Sequence, residues 1–242
     1  MADIAPPSTQ RKYVQIKEDK DVNQLEEKAL EWVKVAHANR LTYEIDWLGV
    51  PIIQTPEDMV LMQELIVTIQ PDIIIETGIA HGGSLIYYAS LCELLQKGKV
   101  IGIDIDIRDH NKQVIQSHPL SKRIEMLQGS STSEDIIEQV KRLLPDDATV
   151  MVCLDSDHTK DHVVKELQLY QHFVTPGSYL VVFDTNTSQL AEQGVCEDQF
   201  INNGPLEAIE EFLRTTTDFE IDTAYNKLYI SYSPNGYLRR RA

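Results

Sequence analysis

Pro71-Asp-Ile-Ile-Ile-Glu-Thr-Gly-Ile-Ala-His-Gly-Gly-Ser84 is the stretch on which the reading of this chain turns. Three consecutive isoleucines, Ile73 to Ile75, describe a strand buried on both faces, as in a parallel sheet covered by helices. The strand runs into Glu76 and then into a turn carrying Gly78, Gly82 and Gly83. Glycine admits positive φ and lets a ligand lie against bare backbone. An apolar-periodic run begins after Gly83, so the turn also opens a helix whose first N–H groups are free to hold an anion. Strand, glycine turn and helix together form the nucleotide-binding end of a doubly wound sheet.

Toward the C-terminus the pattern alternates. Strands are predicted over 73–77, 99–104, 124–129, 149–155 and 179–184, with helices over 84–96, 110–117, 133–143 and 159–174. This is an α/β fold, a doubly wound and mostly parallel sheet. Ser131 and Glu134 stand at capping-box spacing ahead of the third helix. Residues 185–203 are polar and aperiodic, the signature of a lid or binding loop. A helix with Leu206, Ile209, Phe212 and Leu213 inward follows. Strands at 219–225 and 228–233 would then turn at Asn226-Lys227, and Arg239-Arg240-Arg241 reads as a solvated tail.

Toward the N-terminus, Thr55-Pro56-Glu57-Asp58 is a helix start: an N-cap, proline at the first position, two acids on the dipole. Val22, Leu25, Ala29, Trp32, Val33 and Ala36 recur at helical spacing. Residues 1–20 show no periodicity. The expected organisation is a flexible arm at 1–20, an N-terminal helical extension at 21–70, and a cofactor-binding domain at 71–242.

The chain has 242 residues and a net charge of −16, from 38 acids against 22 bases. Such a surface repels phosphates and anionic lipid, so neither nucleic acid nor membrane is an expected partner. Cys92, Cys153 and Cys196 are too few and too scattered for a disulfide framework. No signal-peptide pattern and no apolar run long enough to span a bilayer stands out, which points to a cytoplasmic protein.

A dinucleotide fingerprint requires G-x-G-x-x-G. Here the spacing is Glu76-x-Gly78, then Gly82-Gly83, which disfavours an NAD-dependent oxidoreductase. The pattern resembles the first motif of class I S-adenosylmethionine-dependent methyltransferases. An acid at the strand end would offset the cofactor's cationic groups, and the turn, with His81 and Ser84, would pack against its methionine end. Asp104, closing Val100-Ile101-Gly102-Ile103-Asp104, stands where a carboxylate accepts ribose hydroxyls. Asp106 is a rival on the opposite side of the strand. Gly129-Ser130-Ser131, after the third strand, lies where this fold contacts adenine. Each motif alone is weak; three in register at successive strand ends are a stronger signal.

Asp155 follows the fourth strand, in Leu154-Asp155-Ser156-Asp157-His158, and Asp184 ends the fifth. Two carboxylates on adjacent strands suit a hard divalent cation, which would orient and acidify a substrate hydroxyl. His158 would take the proton. The plainer alternative is that Ser156 or Asp157 caps the next helix and His158 only decorates it. A zinc pair of His158 and His162 is a remote third.

With these segments in view, the chain resembles the cephalosporin hydroxylase/rhamnosyl O-methyltransferase family, which also includes macrolide-sugar O-methyltransferases. The matching segments are Trp47-Leu48-Gly49-Val50-Pro51, Pro56-Glu57-Asp58, Glu76-Thr77-Gly78, Gly102-Ile103-Asp104, Leu154-Asp155-Ser156-Asp157-His158 and Val182-Phe183-Asp184-Thr185. The resemblance implies a Rossmann-like class I methyltransferase fold, S-adenosylmethionine, magnesium, a hydroxylated sugar-containing substrate and a homo-oligomer. By matching position, Asp155 and Asp184 would be metal ligands and His158 the general base, with Asp155 also near the cofactor. Relatives commonly carry Glu-Asp where this chain has Phe183-Asp184, so one carboxylate is missing. Thr185, Asp157, an acid of 185–203, or metal-free catalysis by His158 would each account for that. A non-catalytic cofactor-binding protein is the alternative reading. No iron facial triad is present, which argues against oxygenase activity.

Overall fold

The computed structural model describes residues 19–242, so the expected arm at 1–20 lies almost wholly outside the described residues. In chain order the elements are α1 (Val22–Ala38), β1 (Asp46–Trp47), β2 (Val50–Pro51), α2 (Pro56–Ile69), β3 (Ile73–Thr77), α3 (Gly83–Leu95), β4 (Lys99–Asp104) and α4 (Asp109–Ser117). They continue with β5 (Ile124–Gln128), α5 (Glu134–Leu143), β6 (Val150–Leu154), α6 (Lys160–Tyr170), β7 (Tyr179–Val182), α7 (Thr187–Glu192), α8 (Pro205–Leu213), β8 (Phe219–Ile221) and β9 (Tyr237–Arg240). One seven-stranded sheet has the order β5-β4-β3-β6-β7-β9-β8. The five strands predicted from the sequence pair in parallel, and β9 runs antiparallel between β7 and β8. The chain leaves β3 for β4 and β5, then returns across β3 to β6. The order therefore reverses between β3 and β6, the switch point beyond whose carboxyl edge α/β sites form.

Period-2 alternation along buried strands supplies two cores. Ile74, Val100, Met151, Cys153 and Val181 point to one face, under Met62, Leu65 and Ile66 of α2 and Leu85, Tyr88 and Ala89 of α3. Ile73, Ile75, Val150, Val152 and Leu180 point to the other, under Val140 of α5, Leu167 and Tyr170 of α6 and Ile209 and Phe212 of α8. No helix among the described residues is long and apolar enough to cross a membrane.

Five local expectations are corrected. The cap of α5 is Ser133, whose side chain accepts from the Ile136 N–H. Ser131 is drawn instead toward α6, its Oγ 3.3 Å from His162 Nε2 and its carbonyl accepting from the Tyr170 hydroxyl. Residues 185–203 are not an open loop: α7 buries Thr187, Ser188, Leu190 and Ala191, and Leu190 packs against Val33 of α1 and Tyr232. The polar side chains that hid this helix are satisfied inside; Ser188 Oγ accepts from the Asn202 N–H at 3.0 Å.

The segment 228–233 alternates like a strand but pairs with none. The Tyr232 N–H donates to a side chain, Asp58 Oδ2, rather than to a ladder. The closing strand is β9, so the arginines are no solvated tail: Arg239 pairs with Tyr179 and Glu220. The Arg240 guanidinium donates to the Val174 carbonyl and lies over the Phe219 ring. Finally, α1 buries only Ala29, Val33 and Ala36 of its six apolar-periodic residues, leaving Val22, Leu25 and Trp32 exposed.

Candidate cofactor and metal site

At the carboxyl edge of β3, β4, β6 and β7 the structure encloses a cavity of about 560 Å³, a size suited to a nucleoside-bearing small molecule. Of the residues predicted for the site, Gly78, His81, Gly83, Ser84, Asp104, Ser130, Ser131, Asp155, His158 and Asp184 line it. Glu76, Gly82 and Gly129 do not, and neither does any residue of 185–203. Tyr43, Pro51, Ile52, Ile53, Gln54 and His162 line it without having been singled out as ligand contacts.

The glycines of the turn serve packing more than ligand approach. A Cβ on Gly78 would overlap the Asp155 carbonyl, one on Gly83 the Pro51 carbonyl, and one on Gly82 the Ile115 side chain. Gly78 (φ 86°) and Gly82 (φ 92°) also occupy the left-handed region that favours glycine. Glycine at these positions lets β3, β6 and the β1–β2 hairpin close around one pocket.

Glu76 lies wholly buried beneath that turn. Its Oε2 accepts from Ser84 Oγ at 2.7 Å, while Oε1 makes no well-formed hydrogen bond among the described residues, with the Tyr88 hydroxyl acting on the same carboxyl. Burial pushes its carboxyl up to about 8, against the lowering effect of the Ser84 hydrogen bond. An orphaned buried carboxylate oxygen below the turn fits a site that receives a cation. Gln54 is 5% exposed and lines the cavity beside Asp155 and Tyr88, with neither amide atom in a well-formed hydrogen bond among the described residues.

Asp104 braces the turn as well as edging the pocket. Its Oδ2 accepts from the N–H groups of Ile79 (2.7 Å) and Ala80 (3.2 Å), and its Oδ1 from that of Asp106 (2.9 Å). A carboxylate has about four acceptor sites and three are used, so capacity remains for one ribose hydroxyl. Asp106 is exposed and outside the lining. Next to Ser131, His162 Nε2 lies 3.2 Å from Ser156 Oγ and 3.4 Å from the Oε1 of buried Glu166. The hydrogen bond to Glu166 raises the His162 pKa. Sequence spacing gave no signal for this cluster, because its members come from two strand ends and a helix.

Asp155, His158 and Asp184 converge, with one ligand atom from each within 4.8 Å of the others. His158 Nε2 and Asp184 Oδ2 are 3.2 Å apart. Burial first, then the charge of Asp184, push the Asp155 carboxyl well above its usual range. A buried carboxyl raised by a second acid, with an imidazole beside them, is a place where a divalent cation would relieve the repulsion. Asp184 has φ 54°, a left-handed conformation costing about 1 kcal/mol in a non-glycine residue and recurrent at functional sites.

The replacement for the missing carboxylate is narrowed by geometry. Phe183 is 3% exposed and fills the α2–α3 core. The Thr185 hydroxyl is spent on the Pro234 carbonyl at 2.6 Å. Asp157 Oδ1 accepts from the Thr159 N–H, forming the turn into α6. Among the described residues, the third converging donor is His158. His162, engaged by Ser131, Ser156 and Glu166, is not part of the group.

The chain matches the family model described as Rhamnosyl O-methyltransferase/CmcI over residues 39–241. It is 31% identical over 217 residues to the rhamnosyl O-methyltransferase of Mycobacterium leprae (strain TN), covering 88% of this chain and 90% of that protein. It is 30% identical over 216 residues to the rhamnosyl O-methyltransferase of Mycobacterium tuberculosis (strain ATCC 25618 / H37Rv), covering 88% and 84%. Among solved structures, apo CmcI superposes with a TM-score of 0.60 at 19% identity, covering 83% of this chain and 77% of that one. An O-methyltransferase from Bacillus cereus superposes at 0.52 and 16% identity, covering 86% and 84%. These last two likenesses bear on the fold, which is that of class I methyltransferases.

Proposed function

Since this chain belongs to the rhamnosyl O-methyltransferase/CmcI family, we propose that it methylates a hydroxyl of a sugar, or of a small molecule bearing one, with S-adenosylmethionine as donor. The observation that carries this reading is the single cavity that joins the β3–α3 turn to Asp155, His158 and Asp184. In it, the turn from Gly78 to Ser84, with Gln54, holds the methionine end of the donor. Asp104 holds the ribose, and Ser130 and Ser131 face the adenine. S-adenosylmethionine, when bound, supplies an electrophilic methyl group. Asp155 and Asp184 would hold a divalent cation, which would supply Lewis-acid activation of the acceptor hydroxyl. His158 accepts the hydroxyl proton as the new C–O bond forms and the C–S bond breaks. The pocket's main contribution is to hold the two reactants in line.

A metal-free version has its own support in the 3.2 Å contact between His158 Nε2 and Asp184 Oδ2, a base oriented by a carboxylate. Titrating turnover with Mg2+ after chelation separates the two. Calorimetry with S-adenosylmethionine and S-adenosylhomocysteine, followed by a panel of rhamnosides and other deoxy-sugar glycosides, tests the reading as a whole. Micromolar cofactor binding with methyl transfer to a glycoside is expected, and absence of binding to both cofactors rejects it.

The free thiols of buried Cys92 and Cys153 suit a reducing cytoplasm. Val22, Leu25 and Trp32, exposed on one stripe of α1, support a homo-oligomer, which sedimentation of the purified protein would read directly.

A further inference from the structure

The Pro56-Glu57-Asp58 segment is one that neither the cofactor nor the metal reading uses beyond starting a helix. Asp58 is 2% exposed, in the first turn of α2, and has no cationic partner among the described residues. Two of the hydrogen bonds its carboxylate accepts come from the far end of the chain. Oδ1 accepts from Ser231 Oγ at 2.5 Å, and Oδ2 from the Tyr232 N–H at 2.9 Å and from Thr55 Oγ1 at 2.9 Å. Ser231 Oγ in turn accepts from the Ser233 N–H at 2.8 Å, and Ser233 Oγ accepts from the N–H of Asp184 at 3.2 Å.

A buried carboxylate is therefore linked by two serines to the backbone of the residue that carries the second acid of the metal site. The same crossing segment grips the turn on both sides. Thr185 Oγ1 donates to the Pro234 carbonyl, and Asn186 Nδ2 to the Ser231 carbonyl. What these contacts hold in place is the left-handed backbone at Asp184 (φ 54°). A strained conformation persists only when its surroundings over-determine it. No strand partner can do so here, because β7 ends at Val182 and the N–H of Asp184 lies outside the ladder.

From this geometry we infer that Asp58 is a positioning residue for the metal site: through Ser231 and Ser233 it fixes the backbone of Asp184 so that its carboxylate faces Asp155 and His158. The inference rests on the metal reading above. A purely structural role, tying α2 to the C-terminal segment, would lower stability without altering cation affinity in the folded protein.

The discriminating experiment uses Mn2+ as the probe, with free aquo-ion followed by electron paramagnetic resonance in the absence of substrate. Wild type, Ser233→Ala, Ser233→Thr and Asp58→Asn are compared, with S-adenosylhomocysteine affinity and thermal midpoint measured on each. Ser233→Ala is expected to weaken Mn2+ binding about tenfold and to lower kcat, while S-adenosylhomocysteine affinity stays within twofold. Ser233→Thr, which keeps the hydroxyl, is expected to restore both, and Asp58→Asn to match or exceed the alanine loss. Mn2+ affinity equal in wild type and both relay variants, whatever happens to the midpoint, overturns the inference alone. No Mn2+ uptake by the wild type rejects the metal reading, and this inference with it. Should Asp58→Asn not fold, the two Ser233 variants decide the matter.

Discussion

The two halves of the cavity are built by opposite means. On the donor side, the chain from Ile73 to Ser84 makes its own turn, with close backbone packing and a buried acid that satisfies a neighbour eight residues away. On the acceptor side, Asp155 and Asp184 leave charge facing charge, and the Asp184 N–H bonds to Ser233, 49 residues further on, which hydrogen bonds link in turn to Asp58. A local motif can build a cradle for a zwitterionic cofactor. A cluster of like charges needs distant parts of the fold to hold it together. If this division is real, variants on the two sides separate: the acceptor side loses catalysis with cofactor binding intact, and the donor side loses cofactor binding first.

The largest effect belongs to Asp155→Asn. Removing one charge of the cation site should lower kcat about a thousandfold, or ~4 kcal/mol of transition-state stabilisation. S-adenosylhomocysteine affinity measured by calorimetry should change less than threefold. An equal loss in both would show that Asp155 belongs to the donor side and would break the division. His158→Ala comes next, at roughly a hundredfold in kcat, the lower end of general-base contributions. Here again the cofactor should bind normally; unchanged turnover would remove His158 from the proton path.

Legibility followed the same division. The five parallel strands, the glycine turn, Asp104 and the Asp155 and Asp184 strand ends were readable because each depends on neighbours within a few residues. Ser131 was read as a cap because Glu134 stood at the right spacing, whereas the helix chose Ser133 and Ser131 turned to His162. Residues 228–233 have strand periodicity, yet their polar groups answer to Asp58, about 170 residues earlier. The arginines of β9 looked like a tail because nothing local shows that Tyr237 and Leu238 are buried between β7 and β8. Pairing across such separations leaves no trace in a single sequence's periodicity.

Gln54 sharpens the comparison, since it reaches the pocket from outside the strand–turn–helix unit. Its amide, which makes no well-formed hydrogen bond among the described residues, is expected to hold the aminoacyl group of the donor. Gln54→Leu, which keeps the bulk and removes both polar atoms, should weaken S-adenosylhomocysteine binding about tenfold, or ~1.4 kcal/mol. Mn2+ affinity should fall less than cofactor affinity, since Gln54 touches the metal site only through Asp155. A loss of Mn2+ binding with cofactor affinity unchanged would reassign Gln54 to the acceptor side.

The smallest effect is a proton count at Glu76. Burial raises its carboxyl from 4.5 to about 8 in the folded protein. Between those values the folded chain holds the proton that the unfolded chain has lost, so this group's contribution to stability falls as pH rises through the window. Glu76→Gln removes that dependence, so the midpoint of the variant relative to wild type should climb by a few °C between pH 5 and pH 8.5, as scanning calorimetry would read it. A cationic ammonium arriving above the turn reverses the balance by favouring the charged carboxylate. Near pH 7, binding of S-adenosylhomocysteine should therefore release up to about one proton per site, seen as a binding enthalpy that follows the buffer's ionisation enthalpy. The same titration on Glu76→Gln should be buffer-independent. Equal buffer dependence in wild type and variant would place the proton elsewhere, and Glu76 would then be only a prop for Ser84 and the turn.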